Sequence, residues 1–331
     1  MNLAGIDVAN ETFDIQRRCT EKITHRTFSN TKSGHQQAIA WLQRGCRQVR
    51  VCLEATGIYH LQLALALNRA PGIELMVLNP KAARRFAEAQ MVRGKTDKVD
   101  ALVLLHYLEC MPFKPWSAPS HHRLELQSMA HRLAQLTKEQ TRERSRLHAA
   151  ERAGAHTRVA QHDTRVHIRY LERRYQLLET KAIELMKQYA SMAEDLALVD
   201  TVPGFAETAA MQVLAEVGVL PDDLQPQQWV AQAGLDPKPD ESGTSVHSPR
   251  HISKQGNAKL RAALFFPSMS ACRCDPNVRA FYEKLLARGK TKRAAQTAVM
   301  RKLLHSIWGI LKHRQPWDGD KFCRIEKPMI A

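Results

Sequence analysis

The first apolar run of the chain, LAGIDV at residues 3–8, has an aspartate inside it. A short run of this kind reads as a buried strand. A carboxylate there is costly unless it neutralises or meets a cation. Asp7 therefore constrains the fold more than any other residue, because its strand must end where a charge can be answered. A second apolar run, VRVCLEAT, ends on Glu54. Further along, GKTDKVDALVLLHYLE opens an apolar helix with Asp97 and Asp100. Helix capping and the helix dipole account for one acid at that position. Two acids three residues apart are surface neighbours, and they repel unless a cation lies between them.

The surrounding pattern says where those acids go. TFDIQRR and THRTFSN alternate as strands, and SGHQQAIAWLQRG runs as a helix from a serine cap to Gly45. YHLQLALALNRA is helical, IELMVLN is a strand, and PKAARRFAEAQ opens with proline at a helix start. The order is βββαβαβα, with the last helix from about Asp97. It resembles the ribonuclease-H-like α/β layout, a mixed sheet with helices on its faces. In such a sheet the strands of Asp7 and Glu54 are adjacent and the last helix crosses them, so four carboxylates meet at one point. Hard oxygen ligands of that kind suit Mg²⁺. Two such ions, roughly 4 Å apart, serve phosphodiester chemistry by activating the attacking oxygen and stabilising the leaving one.

MPFKPWSAPSHH, rich in proline, closes this unit. Two long helical stripes follow. One carries Leu126, Met129, Leu133, Leu136 and Leu147; the other carries Leu171, Tyr175, Leu178, Ala182, Leu185, Tyr189 and Met192. Joined through ERAGAHTR, they predict an antiparallel hairpin or coiled coil. A further unit opens near Leu198, where the Pro203-Gly204-Phe205 turn reads as a helix-hairpin-helix that offers backbone N–H groups to a phosphate. The remainder is mainly helical and basic. The expected domains are 1–115, 116–196 and 197–331.

Charge narrows the function. Lys and Arg number 49 against 33 Asp and Glu, a net +16. Residues 241–331 hold 18 basic and 6 acidic residues, so +12 of that charge sits in the last quarter. Such asymmetry favours a polyanionic partner. No window approaches the roughly 18 apolar residues of a membrane span, and MNLAGIDVAN lacks the layout of a secretory signal. Seven cysteines without regular spacing fit a reducing cytoplasm. Cys272 and Cys274 have no second pair to complete a zinc site. The histidines, among them His121, His122, His131, His148, His156, His162 and His167, lack ligand spacing and read as surface residues. Aromatic content of 6% argues against a stacking platform for single strands. Arg250, Lys254, Asn257, Lys259 and Arg261 form one candidate set for nucleic-acid backbone. Lys290, Lys292, Arg293, Arg301 and Lys302 form another.

GIDVANETFDI, LEATGIY, VLNP and GKTDKVDALVL closely resemble the insertion-sequence transposases with an N-terminal RuvC-like DEDD domain. VPGFAETAAMQVLAEVG, AQAGLDPKPDESGTSV and ISKQGNAKLRAALFFPSM resemble the second domain of the same family, which includes bridge-RNA-guided recombinases and, more distantly, pilin-gene inverting proteins. The resemblance spans most of the chain. It implies that Asp7, Glu54, Asp97 and Asp100 bind Mg²⁺, as two ions that Mn²⁺ can replace. It also implies a nucleophilic serine at Ser242, where the residues alone leave Ser245 and Ser248 open. Further implications are donor and target double-stranded DNA, an element-encoded bridge RNA, and a homo-oligomer, dimer or tetramer, whose protomers combine their domains. The expected setting is the cytoplasm, with action at the nucleoid and no membrane. Three readings compete with a serine recombinase: a junction endonuclease without a covalent serine, a DNA invertase of the pilin-inverting type, and a non-catalytic binding protein whose acids pair with arginines.

Overall fold

The computed structural model describes residues 2–55, 57–91, 94, 96–238, 241–242, 246–247 and 251–325. They fall into two compact units, Met1–Ala118 and Pro119–Ala331.

In the first unit β1 (Asn2–Val8), β2 (Thr12–Cys19) and β3 (Lys22–Ser29) form an antiparallel meander. After α1 (Lys32–Gln43) the chain adds β4 (Val49–Glu54) parallel to β1; after α2 (His60–Arg69) it adds β5 (Ile73–Leu78) parallel to β4. Then come α3 (Pro80–Ala89) and α4 (Asp97–Cys110). The sheet order β3-β2-β1-β4-β5 is that of the ribonuclease-H-like layout. Strict alternation along each strand divides the apolar residues between two faces. Ile6, Val8, Phe13 and Ile15 pack with Ala38 and Leu42 of α1 and with Leu63 and Leu67 of α2. Cys52, Met76 and Leu78 pack with Ala83 of α3 and with Leu104 and Leu108 of α4. The first helix begins before the expected serine: Thr31 is the cap, its Oγ1 accepting from the Gly34 amide at 3.3 Å.

The second unit is largely helical. Its long hairpin, α5 (His121–Ala153) and α6 (Arg158–Gln188), is laced by ion pairs from Arg144 to Glu172 (2.8 Å) and from Arg165 to Glu151 (2.7 Å). It continues through α7 (Ala190–Asp200), α8 (Glu207–Val217) and α9 (Pro226–Ala233). A ribbon follows, in which β6 (Pro237–Lys238) pairs with β9 (His251–Ile252) and β7 (Glu241–Ser242) pairs with β8 (Val246–His247). The chain then runs through α10 (Ala258–Cys274), α11 (Pro276–Ala287), α12 (Lys292–His313) and α13 (Gly319–Phe322). The expected boundary at 196/197 falls inside one core. Leu126, Leu133 and Leu185 from the hairpin cluster with Leu196, Met211, Leu264 and Leu303, so the hairpin's base and the C-terminal helices share their burial.

The turn at Pro203-Gly204-Phe205 exists but faces inward. Gly204 has φ +82°, and a Cβ there would overlap the Pro267 carbonyl and the Ala271 amide of α10. The next helix opens with Glu207, paired to Lys187 at 2.5 Å. An acid in the first turn repels a phosphate, so this turn is a packing element between α8 and α10 and not the phosphate-presenting hairpin expected from sequence.

Candidate active site

Register and one missing side chain bring the acids together. The β1–β4 ladder runs to Ile6 opposite Leu53, which sets Asp7 and Glu54 side by side at its next step. Helix α4 lies across β1 at Gly5, where a Cβ would overlap the Ala101 carbonyl and the Leu105 amide nitrogen. The helix is pinned to β2 at both ends. The Gln16 side-chain amide donates to the Lys98 carbonyl at 3.2 Å, and Arg18 pairs with Glu109 at 2.7 Å. Its first turn is capped by Thr96, whose Oγ1 accepts from the Val99 amide at 3.3 Å. That turn carries Asp97 and Asp100.

The consequence is electrostatic. Burial, followed by the charges of Asp100, Asp97 and Glu54, pushes Asp7 from 3.8 up to about 7 against one backbone hydrogen bond. All four carboxylates thus share one local field. Among the described residues no three His, Cys, Asp or Glu are gathered closely enough to hold an ion. The donor set itself is all carboxylate oxygen, as hard divalent cations require. An Asp held at about 7 by burial and by its acidic neighbours is a group that a cation would return to its charged form. Cys52, two residues before Glu54, is buried, and burial with the Glu54 charge pushes its thiol up to about 12. It keeps its proton and is no competing nucleophile.

A fifth acid shares this face, and sequence reasoning missed it. Asp14 pairs directly across the ladder from Asp7. It is 8% exposed, and its Oδ1 meets His25 Nε2 at 2.6 Å and accepts from the Thr27 hydroxyl at 2.7 Å. The available signal was period: in TFDIQRR, Asp14 alternates with Phe13 and Ile15 just as Asp7 alternates with Ile6 and Val8.

Ser242 lies on β7 opposite Val246. Around it the chain forms the two-stranded ribbon of β6 with β9 and β7 with β8. Ser245, Ser248 and Arg250 lie outside the described residues.

The base of this ribbon is tied down closely. The Ser253 hydroxyl and amide bond to the Asp236 carboxylate (2.5 Å) and carbonyl (2.8 Å), and the Lys254 amide donates to the Gly234 carbonyl at 3.1 Å. Lys254 and Gly234 both hold positive φ, +52° and +63°. Asn257 caps α10, its Oδ1 accepting from the Lys259 and Leu260 amides, while its Nδ2 donates to Glu216 Oε2 at 2.6 Å. Glu216 is 3% exposed and also meets His131 Nε2 at 2.8 Å. His131 is therefore a partner of a buried acid, not the surface histidine expected from sequence. Arg261 donates to the Ala233 carbonyl at 2.7 Å. Asn257 and Arg261, read as backbone contacts for nucleic acid, thus spend side-chain donors on the ribbon's anchorage. Lys259 stands exposed in the first turn of α10.

Lys290, Lys292 and Arg293 are exposed at the start of α12, capped by Thr291. Three cations at the positive end of a helix oppose its dipole, a placement that favours an external anion. Among the described residues no helix is long and apolar enough to cross a membrane.

Comparison with known proteins covers both units, the first match running past Ala118 into α5. A family model described as Transposase, of the DEDD domain type, matches residues 4–150, and one described as Transposase IS116/IS110/IS902 family matches residues 196–283. Pilin gene-inverting proteins are similar along nearly the whole chain. The one from Moraxella bovis is 27% identical over 95% of this chain and 97% of its own, and the one from Moraxella lacunata is 28% identical over the same shares. Among solved structures, T. thermophilus RuvC in complex with a Holliday junction substrate is 14% identical, covering 35% of this chain and 99% of its own at a TM-score of 0.27.

Proposed function

This chain belongs to the IS116/IS110/IS902 family of transposases, and from that premise we propose that it cuts and rejoins DNA with Asp7, Glu54, Asp97 and Asp100 as metal ligands and Ser242 as nucleophile. The observation that carries the reading is the common field of the four carboxylates, expressed in the raised Asp7. Mg²⁺ held there, as one ion or two, would supply charge stabilisation at a scissile phosphate. The chain's own part is to hold those acids at one end of β1 and β4, and to carry Ser242 on an arm anchored at Asn257, Ser253 and Gly234.

In the serine step the Ser242 Oγ attacks a DNA phosphorus. The hydroxyl loses its proton to a base, the P–O3′ bond breaks, and a 3′-OH leaves. A phosphoserine ester then preserves the bond energy for rejoining. The exposed cations Lys254, Lys259, Lys290, Lys292 and Arg293 would hold backbone phosphates of donor DNA, target DNA or a structured bridge RNA. A homo-oligomer would let the arm of one protomer serve another's acids. Inversion of DNA, named in the pilin relatives, is the alternative outcome of the same chemistry.

The test is direct. Purified protein with its co-bound nucleic acid is mixed with donor and target DNA and Mg²⁺, then digested and searched by mass spectrometry for DNA linked to the Ser242 peptide. Adduct and strand exchange are expected from the native chain, and neither from Ser242→Ala. Exchange by Ser242→Ala would refute the nucleophile and leave a junction endonuclease. Full activity of Asp100→Ala would refute the metal site.

A further inference from the structure

The far end of α12 carries a feature that this reading does not use. Lys302, His305, Gly309 and His313 recur along one face of the helix and line a cavity of about 280 Å³ with Trp317 and Lys321. The size falls just below the range of about 300–1,000 Å³ typical of ligand sites.

Each part of it has a physical signature. The Lys302 ammonium sits half-buried over the rings of Phe281 (4.3 Å) and Phe322 (4.7 Å), and among the described residues no carboxylate forms an ion pair with it. Burial pulls its pKa down, which marks a cation short of an anion. Lys321 is already engaged, with Asp318 at 3.8 Å and the Gln315 side chain at 3.0 Å. The Trp317 ring is fixed in place. Its Nε1 donates to Asp275 at 3.3 Å and its backbone amide to the Thr201 hydroxyl at 2.9 Å. Gly309 gives the floor its depth, for a Cβ there would have no atom within 4 Å.

A half-buried cation, two imidazoles and a fixed indole face around a small cavity are the groups that hold one nucleotide: charge and N–H donors for phosphate, a flat ring for a base. A duplex, with a major groove alone about 12 Å wide, cannot enter. We propose that this cavity is a subsite for a single unstacked nucleotide of a single-stranded segment, its phosphate on Lys302 and its base against Trp317. The inference rests on the chain being a nucleic-acid enzyme but not on its catalytic residues. It also refines the composition argument above, since one rigid ring makes a subsite where many would make a platform.

The test uses the full chain carrying Asp100→Ala, so that no result depends on catalysis. A short single-stranded oligonucleotide containing 2-aminopurine is titrated, and its quenching reports stacking. Gly309→Met, which the open space above the helix accommodates, plugs the cavity, and Lys302→Gln removes the charge. Each is expected to weaken binding at least tenfold and to abolish quenching while the melting temperature holds. Trp317→Phe should lose part of the quenching. Binding and quenching unchanged by Gly309→Met would overturn the proposal. So would saturation by inorganic phosphate at the concentrations that adenosine monophosphate requires, which would mark a plain anion site. Adenosine monophosphate binding with the same variant dependence, and no oligonucleotide binding, would also overturn it, by assigning the site to free nucleotides. Strand exchange by Ser242→Ala, or absence of metal binding by the native chain, would refute the proposed function and leave this subsite untouched.

Discussion

Gly5 of β1 lies directly beneath Ala101 of α4, so close that a Cβ on Gly5 would occupy the space of the Ala101 carbonyl oxygen. This contact sets the height of α4 above the sheet, and with it the distance from Asp97 and Asp100 to Asp7. Gly5→Ala must lift the helix or bend the strand, because both obstructing groups are backbone. Overpacking of this kind costs about 1–3 kcal/mol. Urea unfolding is expected to show a loss in that range, with DNA cleavage falling further than the unfolded fraction explains.

The raised Asp7 predicts a pH-dependent response to metal. Its folded value, about 7, exceeds its ordinary 3.8. Between those values the native state keeps a proton that the unfolded chain has released, so this group's contribution to stability declines as pH rises through the window. Mg²⁺ requires the charged carboxylate and competes with that proton. Its stabilising shift in melting temperature should therefore be larger at pH 8 than at pH 5.5. Asp7→Asn should raise metal-free stability at pH 8 and remove most of the Mg²⁺ response. A Mg²⁺ shift that is equal at both pH values would count against Asp7 as a ligand.

The two units were unequally legible in sequence. Period-2 runs and short helices gave the order of the first unit, because each strand must bury one or both faces and each helix must cover a sheet. Asp7 and Glu54 stood out as charges where burial was expected. Asp14 did not, because it looked like the polar half of an ordinary alternation, and only the meander that sets it across from Asp7 gives it meaning. In the second unit helix periodicity was plain. The pairings β6–β9 and β7–β8 were not, since the paired pieces are two residues each and carry no apolar pattern. The Pro203-Gly204-Phe205 turn misled for a related reason. A glycine chosen for close packing on α10 reads the same, locally, as one chosen to approach a phosphate.

Asp14 supplies a prediction of its own. It is buried beside Asp7 and answered by His25 and Thr27, so it holds the edge of the acidic corner in place. Asp14→Asn keeps the shape and the Thr27 bond while removing the charge that orients His25. Cleavage is expected to fall several-fold with the far-UV spectrum unchanged, and His25→Gln should act in the same direction. Activity of Asp14→Asn equal to that of the native chain would confine Asp14 to folding.

Glu216 links the hairpin, α8 and the serine arm, and its chemistry predicts how they part. Burial pushes its pKa up, but hydrogen bonds from His131 and Asn257, with the charges of His131 and Lys259, outweigh that and hold it below the usual value. A folded value below the unfolded one means that the stabilisation is complete above the ordinary Glu pKa, about 4.3, and is lost as pH falls through the folded value. Glu216→Gln should therefore be destabilised at pH 7, with the deficit shrinking toward pH 3.5. Asn257→Ala removes both the cap of α10 and a partner of a buried carboxylate, for a loss of about 1–3 kcal/mol. Because those bonds anchor the ribbon and not the acids of the first unit, Mg²⁺ binding should survive both substitutions while the DNA-linked Ser242 peptide disappears. Loss of Mg²⁺ binding together with the adduct would mean general unfolding, and an adduct at native yield would free the serine arm from this anchorage.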